Sequence, residues 1–293
     1  MTLRKCGGAL RTSIAGKLNN TTLPASRPLA PLYEAIHNSL QAIEDAGPGR
    51  HEIEITVERL PELLEEGIAR PNAFTIRDTG IGFTDDNTRS FFTAESRYKA
   101  DKGAKGNGRF LWLKAFAQVE VDSHFQSARG VITRRSFVFD RREDQDVPPL
   151  MPATSKKTGS TIKLTGLDEK IGKQLSRLLE WYADQIIFHF LPYFRRSDGP
   201  QITIRDDGTS MNLNTRFADT VAPNVMTRTF TVEGNDFSLT GYRVNSAEVR
   251  ENLLVFAARC RAVKRERLAR YVPGLERKIE SDDGTRRGIL RIR

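Results

Sequence analysis

Apolar positions along the chain follow two periods. From Leu32 to Asp45 they recur at helical spacing: Leu32, Ile36, Leu40 and Ile43 lie within about 80° of one another, which predicts a helix with one core-facing stripe. Pro28-Leu29-Ala30-Pro31 supplies its entry, since proline suits a first helical turn. Glu34, Asn38, Gln41 and Asp45 fall within about 60° on the opposite side, so Glu34 and Asn38 share a face one turn apart. A solvated surface face would read the same. Elsewhere the period is two. Ile53, Ile55 and Val57 mark a strand, Phe74, Ile76 and Asp78 a second, and the leucine- and glutamate-rich connection between them predicts a hairpin-like pair. Further strands are predicted at 119–125, 131–139, 161–164, 201–205, 228–233 and 239–244. Residues 110–116 are apolar and helix-like. Residues 169–194 carry a long helical pattern closed by Pro192 and Ser197-Asp198-Gly199-Pro200. Residues 1–27 show little periodicity and read as an arm or loose edge element.

Composition narrows the class. A length of 293 residues suits two packed domains or one large one, and 38% hydrophobic with 28% charged residues is ordinary for a globular protein. No apolar run approaches the roughly 20 residues that span a bilayer, so no membrane association is expected. The N-terminus lacks the apolar stretch of a signal peptide, which gives a cytoplasmic expectation. Only Cys6 and Cys260 are present, without metal-ligand spacing, which argues against a disulfide framework or zinc site. The net charge of +9 is uneven: residues 250–293 hold 13 Lys/Arg against 6 Asp/Glu, a net of +7. That asymmetry points to an anionic partner, nucleic acid among the candidates, although an arginine-studded solvated face would look alike.

Candidate chemistry centres on Ile76-Arg-Asp-Thr-Gly-Ile-Gly-Phe83. Alternation puts the Asp78 carboxylate on the inward face of its strand, where it costs several kcal/mol unless paired. Gly80 and Gly82 follow at once and let backbone or ligand come close. The stretch suggests a floor for a flat hydrogen-bonding ligand, and an ordinary Asp-Thr-Gly turn would contain the same residues. Downstream, Lys102-Gly103-Ala104-Lys105-Gly106-Asn107-Gly108-Arg109 runs into the helix-like segment; amides at a glycine-rich helix start, with cations beside them, make a phosphate cradle. A flexible loop has a similar composition. Gly159-Ser160 then introduces another strand.

Glu34-x-x-x-Asn38 on a helix, Asp78-x-Gly80-x-Gly82 after a strand, a glycine-rich loop ending at Gly108, and Gly159-Ser160 before a strand stand in a fixed order. This order resembles the GHKL superfamily of ATPases, named for gyrase, the heat-shock chaperone, histidine kinases and MutL. The resemblance covers roughly the first 165 residues. Residues 252–275 look more loosely like the transducer-type domain of the gyrase, MutL and MORC-like branches. It implies an α+β architecture: a two-layer α/β sandwich (the Bergerat ATP-binding fold, a mixed sheet with helices on one face) over 1–168, a connecting helix over 169–198, and a smaller transducer-like α+β domain over 199–293. It also implies ATP and Mg²⁺ as ligands. Glu34 matches the general base for the attacking water, Asn38 the Mg²⁺ ligand, and Asp78 the acceptor of the adenine amino group, with Gly80 and Gly82 giving base and sugar room. Lys102, Gly103, Gly106, Asn107, Gly108 and Arg109 match the phosphate-wrapping lid, and Ser160 an adenine contact through water. Lys264 is the choice for the transducer's phosphate-sensing residue, with Arg261 next.

Two departures stand out. Gln41 occupies a position where several family members carry Asp, and Gly159-Ser160 stands where most have Gly-Thr. An apparent strand at the last residues suggests a shortened version of a longer architecture. The resemblance implies slow Mg²⁺-dependent ATP hydrolysis that drives lid closure and homodimerisation. The alternative is a nucleotide-gated module that clamps DNA or another polyanion through the basic C-terminal region, with little turnover.

Overall fold

The computed structural model describes residues 13–60, 68–93, 108–143, 145–221, 226–244, 251–258, 260–273 and 289–292, the last four by backbone alone. Among them helices α1 (Ile14–Asn20) and α2 (Ala30–Ala46) precede strands β1 (Glu52–Arg59) and β2 (Pro71–Asp78). Helices α3 (Asp85–Phe92) and α4 (Gly108–Ala115) lead to β3 (Phe116–Gln126), β4 (Ile132–Phe139), β5 (Met151–Pro152) and β6 (Gly159–Leu167). Then come α5 (Glu169–Gly172), α6 (Leu179–His189), α7 (Leu191–Phe194), β7 (Gln201–Asp206), β8 (Thr209–Asn212) and α8 (Leu213–Thr220). The remaining strands are β9 (Met226–Val232), β10 (Asn235–Tyr242), β11 (Leu253–Ala258), β12 (Arg261–Arg267) and β13 (Ile289–Ile292).

The fold is mixed α+β around an eight-stranded sheet of order β5-β4-β3-β6-β2-β1-β7-β8, in which only β1 and β7 pair in parallel. Period-two sequence becomes a layered floor. Val57, Phe74, Leu164 and Val119 are partners across four strands, and Ile55, Ile76, Ile162 and Val121 form the next row. All eight are buried. The opposite sheet face carries the alternate residues, which pair in water: Lys163 with Glu58 and Arg205 with Glu54, each at 2.8 Å. One face is therefore buried under helices and the other is solvated, the expected result of alternation in a mostly antiparallel sheet. On α2 the predicted stripe, Leu32, Ile36, Leu40 and Ile43, is buried against that floor. The Trp112 indole of α4 donates to Pro31 O at 3.0 Å and ties the two helices together.

Three expectations change. The long helix over 169–194 is three pieces: α5 ends at Gly172, the Ser176 hydroxyl takes the Leu178 amide, and Pro192 restarts the chain as α7. Apolar spacing persisted through these breaks because all three pieces face one core. Residues 14–20, expected as a loose arm, are a helix whose N-terminal amides at Ile14 and Ala15 donate to the Glu143 carboxylate (2.7 and 2.9 Å). The boundary expected at 199 falls inside the large sheet, because β7 pairs with β1 through Ile202 opposite Ile53 and Ile204 opposite Ile55. Tight two-residue turns with positive φ, Asp207-Gly208 and Glu233-Gly234, close the β7–β8 and β9–β10 hairpins. Beyond the large sheet lie a three-stranded sheet, β13-β10-β9, and the β11–β12 pair. No helix among the described residues is long and apolar enough to cross a membrane.

A fragment ending at residue 198 would lose Ile202, Ile204 and Leu213, all essentially buried. At about 1.5–3 kcal/mol each, that loss is comparable with a whole domain's stability. Such a fragment should fail to show a cooperative urea transition, whereas one ending at residue 221 should retain it.

Candidate functional site

The third row of the sheet breaks the apolar floor: Ile53, Asp78, Ser160 and Ser123 are partners across β1, β2, β6 and β3. Asp78 is 4% exposed. Its Oδ2 accepts from Ser39 Oγ of α2 and its Oδ1 from the Gly80 amide, both at 2.9 Å. Burial pushes its pKa up to about 6; the Gly80 amide, Ser39, the Ser160 amide and the field of His51 oppose that rise. Ser123 is fully buried, lies 3.1 Å from the Ser160 hydroxyl, donates to Gly159 O and accepts from the Phe83 amide. A short polar row thus ends an apolar sheet.

The loop after Asp78 is clamped on both sides. A Cβ on Gly80 would lie 2.6 Å from the Ala42 backbone, and the next amide, Ile81, donates to Ala42 O at 3.0 Å. Gly82 has φ +78° and a Cβ there would meet His124 O at 2.3 Å. The room expected at these glycines for base and sugar is taken by the protein's own α2 and β3. Arg135, 3% exposed, reaches the same loop, donating to Phe83 O at 2.8 Å and to Asp85 Oδ1 at 2.7 Å.

Eight residues back along α2, about 12 Å at 1.5 Å per residue, stands Glu34. One of its oxygens accepts from Arg261 of β12 at 3.0 Å; the other lies 2.7 Å from where a Cβ on Gly108 would be, so the first residue of α4 can only be glycine without displacing that carboxylate. Asn38 is exposed between the two ends, and Gln41, expected on a solvated face, is buried. This side of α2 is therefore covered at both ends and open in the middle. Arg261, rather than Lys264, is brought to Glu34. Lys264 pairs with Glu266 on the other side of the strand and lies 5.9 Å from the Phe256 ring centroid. Arg109 also departs from expectation. Its guanidinium packs over Phe91 and Phe110 and donates to Thr93 O at 3.1 Å, and burial pushes its pKa down to about 10. Lys102, Gly103, Gly106 and Asn107 lie outside the described residues.

Among the described residues no group of three or more His, Cys, Asp or Glu side chains is placed to hold a metal. Magnesium arriving on phosphates needs only one or two protein oxygens, and the exposed Asn38 amide one turn from Glu34 fits that requirement. No protein-family model matches this chain, and no curated protein matches it.

Ser39 and Ser123 were not singled out in the sequence, yet their signal was present. Each is a hydroxyl inside an apolar row: Ser39 sits between Ala35 and Ile43 on the buried side of α2, and Ser123 between Val121 and Phe125 on β3. Because the folded Asp78 pKa is raised from 3.8 to about 6, protonated Asp78 costs nothing and ionised Asp78 does. Stability is lost as pH rises through that interval. Asp78→Asn should remove this dependence, so urea denaturation should show the variant gaining about 2 kcal/mol on the wild type between pH 4 and 7.

Proposed function

We propose that the chain binds ATP with Mg²⁺ along the open side of α2 and hydrolyses it slowly, the chemistry serving a conformational change. One observation carries the reading. A single helix is tied at its middle to a buried acceptor, through Ser39 to Asp78, and five residues nearer its start presents Glu34 to the first residue of α4 and to Arg261. The resemblance in motif order, from Glu34 through Asp78 and Gly108 to Ser160, supports the same assignment.

In this reading the Asp78 carboxylate, already engaged by Ser39 and by the Gly80 and Ser160 amides, keeps acceptor capacity for the exocyclic amine of adenine, since an ionised carboxylate offers about four lone-pair sites. Gly108 opens α4 with its amide directed to the phosphates. Asn38 would hold Mg²⁺ through its amide oxygen, and the ion would offset phosphate charge. Glu34 takes a proton from the water that attacks the γ-phosphorus, and ADP leaves. Its ion pair with Arg261 leaves a quarter of each side chain exposed, so an incoming anion can reach the guanidinium. A γ-phosphate is a stronger partner for that guanidinium. Transfer of Arg261 to the phosphate frees Glu34 and draws β12 toward the nucleotide, which links hydrolysis to movement of the C-terminal strands and to dimerisation. The net +7 of residues 250–293 favours a second reading, in which nucleotide gates polyanion binding with little turnover. Steep salt dependence of DNA binding without phosphate release would select it.

Glu34→Ala should lower phosphate release at least about 100-fold while ATP still binds by calorimetry; unchanged turnover would overturn the assignment of the base. Nucleotide binding should also follow the ionisation of Asp78. Affinity should be level above pH 6 and fall about tenfold per pH unit below it, as protonation removes an acceptor.

A further inference from the structure

Beside the proposed phosphate end, a cleft of about 540 Å³ opens between the segment leading into α2, helix α6 and strand β12. Its size is that of a small-ligand pocket. Trp181, Gln185 and His189, spaced four residues apart, make one wall from α6. Tyr33 of α2 stacks on His189 with centroids 3.9 Å apart and planes within 8°. Aromatic side chains therefore make up part of the cleft lining.

Its charge is unbalanced. Arg27, Arg261 and Arg265 all line it, against one carboxylate, Glu34, which Arg261 already engages. Arg27 donates to the neutral Val263 carbonyl at 2.9 Å, and Arg265 to the neutral Gln185 Oε1 at 3.3 Å. Among the described residues neither is in an ion pair with a carboxylate. Two guanidiniums line the cleft, each held by a neutral acceptor with donors to spare, and an oxyanion is the partner such donors suit.

We propose that this cleft is a second binding site, for a small organic anion with a flat apolar body and a phosphate-monoester or carboxylate group. The body lies against Trp181 and the Tyr33–His189 pair, and the anionic group meets Arg27 and Arg265. Resting on the proposed ATPase reading, a consequence follows for regulation: the same anion competes with Glu34 for Arg261, so occupancy changes how readily Glu34 is released for the water.

Calorimetric titration with 1-naphthyl phosphate and 1-naphthoate tests the site, with uncharged 1-naphthol as control. Saturable micromolar binding of either anion, at least tenfold tighter than 1-naphthol, is expected; the tighter of the two identifies the anionic group preferred. Arg27 and Arg265 are both exposed, so Arg27→Gln/Arg265→Gln should keep its fold and weaken binding at least tenfold. The charge comparison on the unaltered protein stands without that variant. Asp78→Asn should bind the naphthyl anions as the wild type does while losing ATP, which separates this site from the nucleotide site. No saturation below millimolar, equal binding of 1-naphthol, undiminished binding by the double variant, or loss of naphthyl binding in Asp78→Asn would each overturn the proposal. Absence of ATP binding alone would overturn only the ATPase reading.

Discussion

The arrangement depends on a carboxylate buried where an apolar sheet ends. Asp78 occupies a row whose neighbours toward the core are Ile55, Ile76, Ile162 and Val121, so its ionised form pays a desolvation cost that only directed hydrogen bonds reduce. Those bonds come from three separate pieces of chain, a serine on α2, the amide two residues downstream and the Ser160 amide of β6. Satisfying one side chain thus fixes the helix against the sheet and folds the following loop back on the helix. The raised pKa is the residue of a cost incompletely offset. An acceptor kept under such tension is suited to a donor arriving from a ligand, because new hydrogen bonds to the charged form recover part of that cost.

Helix α2 carries this constraint to the other end. Its apolar stripe is immobilised on the floor, so Glu34 is positioned by the same packing that positions Ser39. There the design changes from buried hydrogen bonds to a partly exposed ion pair with Arg261. Buried hydrogen bonds hold the middle of the helix, and a partly exposed ion pair joins Glu34 to β12, whose strand also lines the arginine-rich cleft. In the proposed mechanism a change in the partner of Arg261 is the route from Glu34 to the C-terminal strands. The glycines act in the same sense. Gly80 lets its loop approach the α2 backbone within a distance that any side chain would block, and at Gly108 a side chain would displace the Glu34 carboxylate.

Much of this was legible in the residues. The stripe on α2, the alternation of β1, β2, β3 and β6, and the inward placement of Asp78 all follow from side-chain period, which is a local property. Breaks in the region 169–194 were hidden because apolar spacing continued through them. Arg109 and Lys264 illustrate a further limit: a basic residue near a glycine-rich loop or on a basic strand can turn toward rings or toward a neighbouring acid, and adjacency in sequence does not distinguish these.

The sequence alone determined which residues face inward, where the polar interruptions of the apolar rows fall, and in what order the candidate groups occur. Tertiary structure decided the partners. That Ser39 reaches Asp78, that Arg261 reaches Glu34 across 227 positions, and that β7 extends the first sheet depend on contacts between distant segments. Period specifies the face a side chain presents, and only the assembled sheet with its packed helices specifies what that face meets.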